Sequence, residues 1–377
     1  MATDMYFDRR GLLKGAGAAA ALATMSGAIP LRRAFAKDFT VGFIYVGPHD
    51  DYGYNQAHAL GAAAVKKMPG VKVLEEENVP EDVSVQKTME SMIGQDGAAL
   101  LFPTSFGYFD PHILKVAPKY PDVRFEHAAG LWTDKMPKNI GSYFGYIFEA
   151  QYINGIVAGH VSKSAKLGFV AAKPIPQVLQ NINAFTLGAM SVNPKITTQV
   201  IFTGDWSMPV KEAEATNSLV DQGVDVVTMH VDGPKVVVQT AAKRGIAVCG
   251  YHCSQAALAP DAYLTGAEWN WTDLYPKFVA MQMKGEPIPN FYRGGFKEGL
   301  IAQSPYGPKV PDGAKKQADD IKAQLTTGDF LIFKGPLKDN KGNMVIAAGE
   351  ALVQTNASDV KLESMGFLIE GVVGSTG

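Results

Sequence analysis

The amino-acid sequence predicts an α/β fold built as two tandem lobes, each a parallel sheet flanked by helices. Three observations carry this. Short runs that are apolar at nearly every position alternate with helical stretches, the pattern of parallel strands buried on both faces. The alternation starts at residue 39, breaks near residue 163 and starts again. A chain of 377 residues also exceeds what one hydrophobic core commonly organises.

Phe39-Thr-Val-Gly-Phe-Ile-Tyr-Val46 is β-branched and aromatic and stops at Gly47-Pro48, so it reads as the first strand. The Ala-rich stretch 55–67 reads as helix and 71–74 as strand. Residues 84–95 put Val85, Met89, Met92 and Ile93 on one helical face, with Ser84 as N-cap. Strand 98–102 follows. Helix 110–119 is expected to be capped by Asp110, with Pro111 at its first position. Strand 123–127 and a long helix over 146–162 complete the first run. The second run reads strand 167–171, helix 177–191, strand 198–202, helix 210–222, strand 224–229, helix 234–244 and strand 246–251. Later pieces are a strand near Tyr263, helix 273–283, strand 296–303, helix 314–325 and an apolar stretch 366–372, expected to shuttle back between the lobes. The expected division is 37–162 plus about 267–300 for the N-terminal lobe, and 163–266 plus about 301–377 for the C-terminal lobe.

Residues 1–36 carry a different signal. Asp8-Arg9-Arg10-Gly11-Leu12-Leu13-Lys14 precedes a mild apolar stretch rich in Ala and Gly, and Ala34-Phe35-Ala36 offers a small-residue cleavage site. The pattern reads as a cleaved twin-arginine export signal, which places the mature chain in the periplasm. The apolar stretch is too short to span a bilayer, which takes roughly 20 residues, and no later segment reaches that length. Hydrophobic content of 46%, charged content of 19% and a net charge of −2 describe an ordinary globular chain, expected as a soluble monomer. With no basic stripe, nucleic acid is not an expected partner.

In open parallel sheets, ligands bind beyond the carboxyl ends of the strands. Those ends carry Gly47-Pro-His-Asp-Asp-Tyr-Gly-Tyr-Asn55, Thr104-Ser-Phe-Gly-Tyr-Phe-Asp110, Gly204-Asp205-Trp206, His230-Val-Asp232 and Tyr251-His252. Tyr52, Tyr54, Phe106 and Trp206 therefore fall on one rim, joined by Trp269 and Trp271. Large aromatics on loops leave apolar area in water unless something covers them. Aromatic faces on both walls of a cleft suit a flat ring held by stacking, and Asn55, Asn183, Asp232 and Asn270 offer hydrogen bonds to its edge. The expected arrangement has Phe106 and Trp206 stacking from opposite lobes, Tyr54 and Trp271 flanking them, and Asn183 and Asp232 reading the ring edge.

No catalytic constellation emerges. There is no G-x-S-x-G elbow, no phosphate-cradling loop and no G-x-G-x-x-G after the first strand. His49, Asp50 and Asp51 form a polar cluster that also fits helix capping. Glu126 and His127, adjacent on a strand, point to opposite faces. Cys249 and Cys253 are compatible with free thiols, with a disulfide, or with a metal site shared with His252. No cofactor, metal or catalytic residue is expected.

Several motifs resemble one family. These are Gly42-Phe-Ile-Tyr-Val-Gly-Pro48, Thr104-Ser-Phe-Gly-Tyr-Phe-Asp-Pro111, Phe125-Glu-His-Ala128, Pro174-Ile-Pro176, Ile182-Asn-Ala-Phe185, Gly295-Phe-Lys-Glu-Gly299 and Ile369-Glu-Gly371. Together they resemble the basic membrane protein family of substrate-binding components of ABC importers, over nearly the whole mature chain. The resemblance implies two Rossmann-like lobes in the type I periplasmic-binding architecture, a ligand cleft between them and an ABC permease as partner. It also implies a purine ligand. The nucleoside-binding branch tends to carry an acidic residue where this chain has Tyr251-His252, so the resemblance favours a purine base over a nucleoside. Lys297 matches a family lysine that lies near the ligand.

Overall fold

The computed structural model describes residues 38–353 and 357–376. The N-terminal export signal read from the sequence lies outside the described residues.

The chain runs β1 (Phe39–Ile44), α1 (Tyr54–Val65), β2 (Val71–Glu76), α2 (Val83–Gly94), β3 (Leu100–Pro103), a series of short turns around α3 (Leu114–Val116), β4 (Arg124–Ala128) and β5 (Ile140–Gly145). It continues through α4 (Phe148–Val161), β6 (Lys166–Ala171), α5 (Pro176–Val192), β7 (Thr197–Phe202), α6 (Pro209–Asp221), β8 (Val226–His230), α7 (Lys235–Lys243), β9 (Ala247–His252) and β10 (Tyr263–Trp269). The last part holds α8 (Trp271–Met283), β11 (Phe291–Gly294), β12 (Ile301–Gln303), α9 (Asp312–Thr327), the small hairpin β13 (Leu337–Lys338) and β14 (Met344–Ile346), and β15 (Val372–Val373).

Two sheets result. The first has the order β11-β5-β4-β3-β1-β2 and is wholly parallel. The second has the order β12-β10-β9-β8-β6-β7-β15, parallel except where β12 runs against β10. The fold class is therefore the expected one. In each sheet an early strand, β1 or β6, sits inside with neighbours of opposite sequence direction. The carboxyl ends of these strands form the crevice where ligands collect in such sheets.

The chain crosses between sheets between β5 and α4, between β10 and α8, and between β11 and β12. Helix α4 packs on α5, α9 and β10, so the first crossing falls at 145–148, earlier than the break near residue 163. Its burial on all sides explains the near-absence of a polar face. Paired glycines let α4 and α5 touch through their backbones. A Cβ on Gly155 would lie 2.0 Å from the Phe185 carbonyl oxygen, and one on Gly188 would lie 2.1 Å from that of Tyr152.

Several expectations are corrected. Asp82, not Ser84, caps α2, because its carboxylate is placed to accept the Ser84 N–H. Residues 110–119 do not form one helix. Asp110 is extended (φ −115°, ψ 121°), the Asp110–Pro111 bond is cis, and the segment is a chain of 3-10, π and single α turns. The strand expected over 296–303 is mostly a turn, with Gly299 at φ 70° and Glu298 accepting the Gly295 N–H, so that only 301–303 pairs. Strands β5 and β11, not read from the sequence, form one edge of the first sheet. Among the described residues no helix is long and apolar enough to cross a membrane.

Candidate binding cleft

The loops after β1, β3 and β4 face those after β6, β7, β8 and β9 across a cleft. It encloses about 460 Å³ of empty space, mouth included. Tyr54, Ser105, Phe106, Ala128, Ala129 and Phe144 line it from the first sheet's side, and Gln177, Trp206, His230, Asp232, His252 and Trp269 from the second.

The first wall is braced by its own backbone. Glu81 accepts from Ser105 Oγ at 2.5 Å and from the Gly107 N–H at 2.8 Å, and His127 Nε2 lies 2.7 Å from the Ser105 carbonyl. Phe106 is thus held on a loop tied from both sides. Burial pushes the His127 ring down to about 4, so it is neutral and its Nε2–H donates to that carbonyl. The Tyr54 hydroxyl donates to the Thr104 carbonyl at 2.6 Å, which leaves its ring edge-on to His252 at 5.3 Å.

The second wall carries the titratable groups. Trp206 lies beneath Lys173, whose Nζ is 5.1 Å from the ring and 2.8 Å from Asp205. The same lysine holds the Asp205 carboxyl below its usual range. Trp206 and His230 are tilted by 31° with centroids 6.2 Å apart. Burial pushes His230 down to about 3. Behind it, Asn181 Nδ2 contacts both His230 Nδ1 and the Tyr251 hydroxyl at 2.8 Å. Trp269 Nε1–H donates to His252 Nδ1 at 2.8 Å. An indole can only donate, so the proton of the neutral His252 ring sits on Nε2. Burial holds that ring neutral, opposed only by the Val231 carbonyl.

Asp232 keeps part of its surface open to the cleft. Enclosure by both lobes nevertheless lifts its carboxyl well above the usual range, with Asp51, Glu81 and Glu212 adding to the shift and Lys173 opposing it. Among the described residues none hydrogen-bonds this carboxyl; only its backbone is engaged, its N–H donating to Trp206 O at 2.7 Å and its carbonyl accepting from the Tyr54 N–H at 2.9 Å.

That last bond joins the lobes at the rim. Gln255 Nε2 adds a second, donating to the Tyr52 carbonyl at 2.6 Å. Gly53 fits between them, since a Cβ there would lie 1.8 Å from the Asp232 carbonyl oxygen and 2.4 Å from Pro234.

Of the residues singled out from the sequence, Tyr54, Phe106, Trp206, Asp232, His252 and Trp269 meet in the cleft, and the others do not. Tyr52 turns outward beneath Lys235. Asn55 is buried and donates to Asp51 at 2.8 Å, bracing the loop. Asn183 pins the C-terminal segment, with Nδ2 donating to Phe367 O at 2.9 Å and Oδ1 accepting from the Ile369 N–H at 3.0 Å. Tyr251 stands behind His230. Trp271 stacks on Trp269 at 4.9 Å but on the side away from the cleft, against His58. Lys297 lines a separate groove with Tyr146, Phe148 and Glu149. His230, Gln177 and Phe144 take the vacated places. His230 sits at a strand end already in view, so the strand-end rule could have found it. Cys249 and Cys253 are both free and buried. His49 pairs with Glu77 at the surface, and no metal-binding cluster occurs among the described residues.

A model of PnrA-like ABC transporter substrate-binding proteins matches residues 39–324. The chain belongs to that family. It is 37% identical over 334 residues to a purine-binding protein of Brucella abortus, covering 88% of this chain and 92% of that protein. It is 31% identical over 293 residues to a putative ABC transporter glucose-binding protein of Haloferax volcanii, covering 78% and 73%. Among solved structures, an ABC transporter solute-binding protein from Aeropyrum pernix matches with a TM-score of 0.67 at 19% identity, over 80% of this chain and 93% of that one. This last likeness concerns the fold alone. The PnrA-like chain is thus a substrate-binding protein of an ABC transporter.

Proposed function

We propose that this protein binds a purine base in the cleft between its lobes and delivers it to an ABC permease, acting as a monomer in the periplasm after twin-arginine export. The observation that carries the ligand class is the pairing of walls. Phe106 and Trp206 come from opposite lobes onto one narrow cleft, and among the described residues the half-open Asp232 carboxyl beside them has no hydrogen-bond partner. Aromatic faces hold a flat ring, and an unpaired acceptor reads its N–H edge. The purine-binding relative supports the same class. A purine nucleoside is the second reading within that class.

Two other readings are weaker. A sugar would fit the name of the Haloferax relative, but the cleft offers ring faces and few hydroxyl partners. A nucleoside hydrolase using the acidic loop before α1 would need Asp51 free as its general base. Asp51 is saturated instead, accepting from Gly53 N, Asn55 N, Asn55 Nδ2 and Gln56 N at 2.8 to 3.0 Å.

Calorimetric titration of adenine, hypoxanthine, guanine, adenosine and glucose tests the assignment. The expected result is stoichiometric binding of at least one base, recovered unchanged. Tight glucose binding with every purine failing would overturn it. For export, changing Arg9 and Arg10 to Lys should retain the precursor in the cytoplasm, because lysine does not reproduce a guanidinium pair; normal periplasmic accumulation of that variant would refute the route.

A further inference from the structure

We propose that Asp232 makes the cleft selective for a purine that is uncharged and offers a ring or exocyclic N–H, and that it excludes anionic oxopurines such as urate. The proposal rests on the purine reading above and goes beyond it by fixing the charge and hydrogen-bonding polarity of the ligand.

The geometry is one-sided. Asp232 lines the cleft beside Trp206, and among the described residues its carboxyl has no hydrogen-bond donor. A ring stacked on Trp206 therefore meets an acceptor at its edge. Among the described residues, the groups beside the ring that could answer a negative charge are already paired or neutral. Lys173 is paired with Asp205 at 2.8 Å and sits over the indole. His230 and His252 are kept neutral by burial. The further charges around Asp232 are carboxylates, each already bonded to backbone: Asp51 to the start of α1, Glu81 to Gly107 N, and Glu212 to Met208 N at 2.7 Å.

Charge bookkeeping then decides the preference. A neutral base with an N–H satisfies the Asp232 acceptor and adds no charge. An anionic ring brings its own negative charge into a partly desolvated site neighboured by Asp51, Glu81 and Glu212, where among the described residues the nearby cation, Lys173, is paired with Asp205 and the repulsion is poorly screened. A protonated Asp232, which its raised carboxyl favours, can donate one hydrogen bond to the anion but supplies no positive charge to balance it, while the C=O oxygen of its carboxyl still accepts from a neutral ring N–H. A pocket built to accept an N–H also rejects a ring edge that presents only acceptors there.

The test is a titration series at neutral pH with wild-type protein and Asp232→Asn, using adenine and hypoxanthine as neutral rings and urate as a monoanion. The wild type should bind a neutral base at least about 100-fold more tightly than urate. Asp232→Asn, nearly isosteric, should narrow that ratio by about tenfold or more, through weaker neutral-base binding, stronger urate binding or both. Urate binding as tightly as adenine would overturn the proposal while leaving the purine reading intact. An unchanged ratio in Asp232→Asn would remove the role of this residue. Failure of every purine, with a sugar bound, would refute the parent reading and this one with it. Should Asp232→Asn not fold, judged by its melting transition, the wild-type ratio alone still decides whether anions are excluded.

Discussion

The two walls of the cleft are built on opposite plans. The first-lobe wall is mostly apolar, and its polar side chains, Tyr54 and Ser105, are spent on bracing their own loops. The second-lobe wall carries Trp206 together with His230, Asp232 and His252, and among the described residues leaves the Asp232 carboxyl without a hydrogen-bond partner. The difference separates two tasks. A braced apolar surface gives ring-face contact that is insensitive to which heterocycle enters. A wall with an unpaired acceptor discriminates. Both tasks need the lobes to meet, and they meet through Gly53 and the backbone of Asp232.

The largest expected effect comes from keeping the walls apart. Gly53→Ala places a methyl group against the Asp232 carbonyl, which the closed arrangement cannot accommodate without separating the rims. Overpacking of this kind costs about 1–3 kcal/mol, so every ligand should weaken by about 10- to 100-fold, with their order unchanged. Calorimetry on two unlike bases checks this, and a selective loss of one base would break the picture of a shared rim. Next come the ring faces. Trp206→Ala and Phe106→Ala should each remove about 1–3 kcal/mol of stacking, weakening all purines alike, in contrast to the change in ranking expected for Asp232→Asn. If Phe106→Ala reorders the purines, the division of labour between walls fails.

The smallest effect on binding belongs to a residue the sequence placed in the site. Asn183 holds Phe367 and Ile369, so Asn183→Ala leaves a buried N–H and a buried carbonyl without partners, at about 1–3 kcal/mol. The melting temperature should fall by several degrees while affinity for a base stays within about twofold. A large affinity loss at unchanged melting temperature would return Asn183 to the cleft.

The contrast between Asn183 and Asp232 also marks what was legible in the sequence. Continuous apolar strands such as β1, β6 and β8 announce themselves, and the loop after each is located with them. Tyr54, Phe106, Trp206, Asp232 and His252 were found by that rule. Strand β5, Ile140-Gly-Ser-Tyr-Phe-Gly145, carries Gly and Ser inside it and shows no apolar run, which hid Phe144 as well. Asn183 lies within α5, and which face it presents is decided by the C-terminal segment folding back 184 residues later. Trp271 and Trp269 differ by two positions, but Trp269 ends a strand at the crevice while Trp271 opens α8, which packs on α1. No local pattern separates those fates, because both depend on where the chain crosses between lobes.

The central claim is that a flat nitrogen heterocycle is held between the two walls. Native mass spectrometry of gently purified protein, followed by heat release and identification of what it carried, tests this most directly. The account predicts one purine base per chain, released intact. A sugar or an amino acid in that place would contradict it.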